Sequence, residues 1–84
     1  MQLVLVEATN PDTHKVVSRL IELDCVPMPG NVFNLKDRAL NGFVYAEEVV
    51  EAHEDRPMTV IIHVKDEVLL RMEDAGWDKE SAAA

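Results

Sequence analysis

Met58-Thr59-Val60-Ile61-Ile62-His63-Val64 is the densest run of β-branched residues in the chain and reads as a strand. With a period of two, Met58, Val60, Ile62 and Val64 point one way and Thr59, Ile61 and His63 the other. Both faces are mostly apolar, so the strand needs cover on both sides and neighbours at its edges. Gln2 to Ala8 sets Leu3 and Leu5 against Val4 and Val6 in the same doubly apolar manner. It is the natural partner for 58–64.

Between these two runs the pattern predicts helices and short strands. Asn10-Pro11 has the chemistry of an N-cap followed by a first helical residue, and Asp12 suits the positive helix end. Val16, Val17, Leu20 and Ile21 then form one stripe, which predicts a helix over 11–24. Pro27 and Pro29 hold Val26 and Met28 extended. Met28-Pro29-Gly30-Asn31 has the central residues of a type II turn. Val32 to Leu35 reads as a short strand, paired in a hairpin with the Pro-containing segment before it. Lys36 to Gly42 reads as a polar connection.

Phe43-Val44-Tyr45 has strand character, giving a strand at 41–45. Ala46, Val49, Val50 and His53 recur at helical spacing, giving a helix at 46–55 that ends at Arg56-Pro57. After 58–64, Asp66 is a candidate N-cap for a last helix carrying Val68, Leu69 and Met72. Gly76 is placed to end that helix in a left-handed turn, folding Trp77 back on Met72. The expected architecture is an α+β two-layer sandwich, ferredoxin-like (split βαβ), with an added C-terminal helix. That topology puts 58–64 at a sheet edge, in conflict with its doubly apolar composition. Residues 1–77 form one domain and 78–84 a disordered tail.

Eighty-four residues support a small core, burying about 60% of the unfolded chain's surface. The single cysteine, Cys25, excludes an internal disulfide framework. The N-terminal residues show no signal peptide, and no run approaches the ~20 apolar residues of a membrane helix, so the expected location is cytoplasmic. The net charge of −8 is lopsided. Residues 1–42 hold five acids and four bases, net −1; residues 43–84 hold eleven acids and four bases, net −7. Direct nucleic-acid binding is disfavoured, because phosphate contacts need a basic patch. A protein partner with a basic surface is favoured.

Glu47, Glu48, Glu51, Glu54 and Asp55 concentrate that charge, with no base between Arg38 and Arg56. On the expected helix, Glu47, Glu51 and Glu54/Asp55 share a face and repel one another. The plain reading is a solvated face; the functional one is a docking surface for a basic partner. A cation site is the third option, and carboxylates diverging from a straight helix close no oxygen cage.

Met28 and Phe33 mark a candidate apolar contact on the Pro-rich hairpin. His14, His53 and His63 lack metal-ligand spacing with each other or with Cys25. Folding still leaves open a site that joins His63 to Cys25 or to a carboxylate. Cys25 itself has the acidic neighbours Glu22 and Asp24, the wrong sign for a reactive thiolate. No phosphate loop, nucleophile elbow or dinucleotide fingerprint occurs, and no cofactor is implied.

Three functions follow. The first is a non-catalytic regulatory module binding a protein partner, or a homodimer pairing through a sheet edge. The second is an inhibitor of the phage or mobile-element type that mimics nucleic-acid charge. The third is a small enzyme or metal protein built on His63.

Overall fold

Asn10-Pro11 reverses the chain instead of starting a helix. A computed structural model describes residues 2–36 and 41–80. In it β1 (Gln2–Asn10) and β2 (Lys15–Leu23) form an antiparallel hairpin, running from Gln2 opposite Leu23 to Asn10 opposite Lys15. Asn10 Oδ1 accepts the Asp12 N–H at 2.9 Å, and the Asn10 carbonyl accepts the His14 N–H at 2.8 Å. Asn before Pro suits such a side-chain-supported turn as well as it suits a helix start. The helix expected over 11–24 is therefore strand β2. Val16, Val17 and Ile21 are β-branched and favour the pleated surface. Pairing with β1 then outweighs their helix-compatible spacing.

The second neighbour of β1 is β6 (Thr59–His63), which pairs with it in parallel, Val6 beside Val60 and Ala8 beside Ile62. The expected pairing of 2–8 with 58–64 is present. On the far side of β6 lies β5 (Glu48–Val50), antiparallel to it. On the far side of β2 lies β7 (Asp78–Glu80), also antiparallel. The sheet order is β5-β6-β1-β2-β7, and a separate two-stranded ribbon joins β3 (Val32–Lys36) to β4 (Asn41–Tyr45). The run at 58–64 is thus an inner strand, as its two apolar faces require.

The ferredoxin-like α+β arrangement is not formed. Among the described residues the chain is mostly strand, with two sheets and one short helix, α1 (Asp66–Asp74). The helix expected at 46–55 is instead β5 and a hairpin turn closed by a His53–Arg56 bridge. Val49 and Val50 pair there with Val60 and Thr59 of β6, making β5 its second neighbour. Strand β7 takes its residues from the segment 78–84; residues 81–84 lie outside the described residues. So do residues 37–40 of the expected polar connection.

Helix α1 connects β6 to β7, which run parallel, and so crosses β1 and β2 on one face of the sheet. That face supplies Val4, Val6, Ala8, Val17, Val60 and Ile62 to the core, and the helix brings Leu69 and Met72 down on them. Full burial of each of these Val, Ile, Leu and Met side chains stabilises by roughly 1.5–3 kcal/mol. Gly76, at φ 103°, ends the helix. The Trp77 N–H donates to the Met72 carbonyl at 3.0 Å and the Gly76 N–H to the Glu73 carbonyl at 3.1 Å. This paired closure is the left-handed cap expected at Gly76, and it buries Trp77 beside Met72 in the core.

The ribbon completes the core with Leu35, and Ala46 just beyond β4 joins it. Met28 to Asn31 makes the expected turn: the Asn31 N–H donates to the Met28 carbonyl at 3.0 Å, with Gly30 at φ 89°. The strand partner of β3 is β4 and not the Pro-containing segment before the turn, since Pro27 and Pro29 have no N–H to give a ladder.

Candidate interaction surface

The β3–β4 ribbon has two faces, set by its register. Phe33 stands opposite Val44 and Leu35 opposite Gly42; these side chains turn inward onto the core. Val32 stands opposite Tyr45 and Asn34 opposite Phe43; these turn outward. Val32 is 60% exposed, Phe43 74%, Tyr45 49%, and Met28 in the preceding turn 68%. A Cβ placed on Gly30 would lie 3.5 Å from Tyr45 Oη, so the tyrosine hydroxyl reaches the turn that carries Met28. The Gly30 N–H donates to the Ala46 carbonyl at 2.8 Å and the Ala46 N–H to the Asn31 carbonyl at 2.9 Å, which locks turn and ribbon together.

Of the two apolar residues expected to meet a partner, Met28 is exposed. Phe33 is half-buried against the core. Phe43 holds the exposed position instead. Pleat alternation explains the exchange: residues 33 and 43 pair with 44 and 34, so they fall on opposite faces.

The acidic run begins two residues after Tyr45. Glu47, Glu48, Glu51, Glu54 and Asp55 are all exposed, along the sheet-edge strand β5 and its hairpin turn. They do not share a helical stripe, because there is no helix there. Arg56, the base that closes the run, is engaged elsewhere: its Nη2 lies 3.1 Å from Glu7 Oε1. Glu47 Oε1 lies 3.9 Å from His63 Nδ1, beyond hydrogen-bond length.

A second apolar area lies on the sheet face away from α1. Leu5 stands opposite Leu20 there, and Leu3 and Leu20 are each 51% exposed.

His63 and Cys25 are not brought together, whereas the Glu47 carboxylate lies beside His63. His63 pairs with Thr9 at one end of β1, whereas Cys25 follows Leu23, which pairs with Gln2 at the other end. Seven residues of strand separate those ends, about 23 Å. Cys25 is an exposed free thiol, and His14 and His53 are exposed in turns. Among the described residues no group of three or more His, Cys, Asp or Glu side chains is placed to hold a metal ion. A cleft of about 80 Å³ lies between α1 and β2, lined by Val17, Asp66 and Leu69 among others. Small-molecule sites commonly enclose ~300–1,000 Å³.

No family model, curated protein or solved structure matches this chain. No helix among the described residues is long and apolar enough to cross a membrane.

Proposed function

We propose that this chain is a non-catalytic interaction module that acts in the cytoplasm by binding a protein partner. The observation that carries the reading is the outward face of the ribbon, where Val32, Phe43 and Tyr45 stand exposed, with Met28 exposed in the turn before it. Aromatic residues and Met are enriched in interface cores, and a contiguous apolar patch on a small domain marks a contact surface. The small cleft and the distance between His63 and Cys25 give catalysis no support.

A second reading draws on the five exposed acids at 47–55. In it the carboxylates stand in for phosphates, and the partner is a nucleic-acid-binding protein whose site the chain blocks. The concentration of this charge, with Arg56 turned to Glu7, supports it.

Affinity capture from native host cells tests the first reading. The wild-type chain should enrich a defined protein that the double variant Phe43→Ser, Tyr45→Ser does not. Equal enrichment by both would overturn the ribbon as the binding face. A captured protein whose nucleic acid competes with this chain would select the second reading.

A further inference from the structure

Resting on the interaction-module reading, we infer that the occupant of the ribbon face is an arginine-bearing protein segment, whose guanidinium groups stack on Phe43 and Tyr45 and pair with the acids beyond them. Three features of the surface converge on that chemistry. Phe43 and Tyr45 are two residues apart on one strand and share its outward face, about 7 Å from one another. Aromatic rings so placed present π-faces to a planar cation, and arginine stacks on such rings more readily than lysine does. Val32, opposite Tyr45, offers apolar contact to the methylene stem of the same side chain, and Met28 is exposed in the turn before the ribbon.

Charge selects the same occupant. The chain passes directly from Tyr45 to Glu47 and Glu48, and on to Glu51, Glu54 and Asp55, all exposed. A cation stacked on the ribbon therefore has carboxylates within a few residues, and further bases in the same segment have partners along β5 and its turn. The net charge of −8 works against a second copy of this chain as the occupant. The surface is also preformed. Phe33, Val44 and Leu35 anchor its inner face, and the Gly30–Ala46 and Ala46–Asn31 hydrogen bonds fix its base, so little ordering is needed on binding.

The test uses three synthetic peptides against the full chain: one alternating Arg with Leu, one with Lys in place of Arg, and one with Ser in place of Leu. Binding is followed by NMR shift mapping and titration at low and high salt. The Arg–Leu peptide should shift Val32, Phe43, Tyr45 and Glu48 to Asp55. It should bind the wild type about threefold or more tighter than the Lys–Leu peptide, the scale of one exposed cation–π contact. Phe43→Ser should erase that preference while leaving circular dichroism unchanged. The triple variant Glu48→Gln, Glu51→Gln, Glu54→Gln should weaken binding roughly tenfold at low salt and flatten the salt dependence.

Equal affinity of the Arg and Lys peptides for the wild type, or shifts confined to the Leu3–Leu20 face, would overturn the inference. So would a dimer in sedimentation equilibrium that Phe43→Ser dissolves, which would give the ribbon to a second copy. If the cellular partner is lost with Phe43→Ser, Tyr45→Ser but the Arg–Leu peptide does not bind, the interaction module stands and the arginine occupant falls.

Discussion

Asn10 Nδ2 donates to Asp66 Oδ1 at 2.9 Å, tying the turn between the first two strands to the first residue of the helix. Thr13 Oγ1 donates to the same oxygen at 2.9 Å, and Lys15 Nζ lies 3.6 Å from the other. Asp66 was the expected N-cap, but Lys65 holds that position and no side chain caps the helix. The carboxylate is instead the fixed point onto which the hairpin turn closes.

That arrangement has a pH signature. The Thr13 hydroxyl, with help from the Asn10 amide and the Lys15 charge, holds the Asp66 carboxyl below the ordinary aspartate range, against an opposing effect of desolvation. The unfolded chain takes up this proton near pH 4, roughly. The folded chain resists it, so the stabilising contribution is complete above that pH and fades as pH falls through the lowered native value. Thr13→Ala should move the Asp66 titration upward. Carbon-detected NMR of the carboxyl group reads this directly, and an unmoved titration would contradict the hydroxyl's role.

Gly76→Ala should destabilise by about 1–2 kcal/mol, the cost of a left-handed backbone for an L-residue. The nearest atom to an added Cβ is Arg19 Nη1 at 4.0 Å, so the penalty is conformational and not a clash. Urea unfolding followed by Trp77 fluorescence measures it. A loss under a few tenths of a kcal/mol would show that the cap relaxes into another geometry.

His14 offers the converse case. It sits at φ 60° without being glycine. His14→Gly should raise stability by up to about 1 kcal/mol, once the strain relieved is set against the freedom added to the unfolded chain. His14→Val should lower it, because a branched Cβ tolerates that backbone least. The order of urea midpoints, Gly above His above Val, is the readout.

Met72 and Phe43 separate core from surface. Met72 is fully buried, and Met72→Ala should cost about 2–5 kcal/mol, enough to unfold a large share of so small a domain. Phe43→Ser should stay within about 0.5 kcal/mol. Thermal unfolding of the two variants beside the wild type decides it. A large loss in Phe43→Ser would move that ring from the binding surface into the packing of the ribbon.

Local chemistry announced some of this fold and misled about the rest. Gly30 and Gly76 were legible because each sits where a positive φ is needed and Pro29 or Trp77 fixes the context. Strands 2–8 and 58–64 were legible because two apolar faces leave few alternatives. Asn10-Pro11-Asp12 was not, for a physical reason. The side-chain bond from Asn10 to the Asp12 N–H belongs equally to a helix cap and to a hairpin turn. What decides between them is the need of β1 for a neighbour, and that is a non-local demand. Val49 and Val50 fail in the same way, since three residues of edge strand are too few to show a period. At the binding surface, the acidic run was plain in the sequence. The exchange of Phe33 for Phe43 depends on cross-strand register, which no single segment encodes.

The parallel pairing of β1 with β6 sets a schedule for synthesis. Leu5 and Thr59 are partners, yet Thr59 is made fifty-four residues later. At roughly 5–20 residues per second, β1 waits about 3–11 seconds with only one neighbour available. Throughout that interval its free edge and its Leu3-Val4-Leu5-Val6 faces are open to any extended segment nearby. A nascent chain short of Thr59 therefore exposes a strand edge that the finished fold covers. A premature stop before Thr59 would leave a product that holds its first hairpin and lacks the strand that closes it.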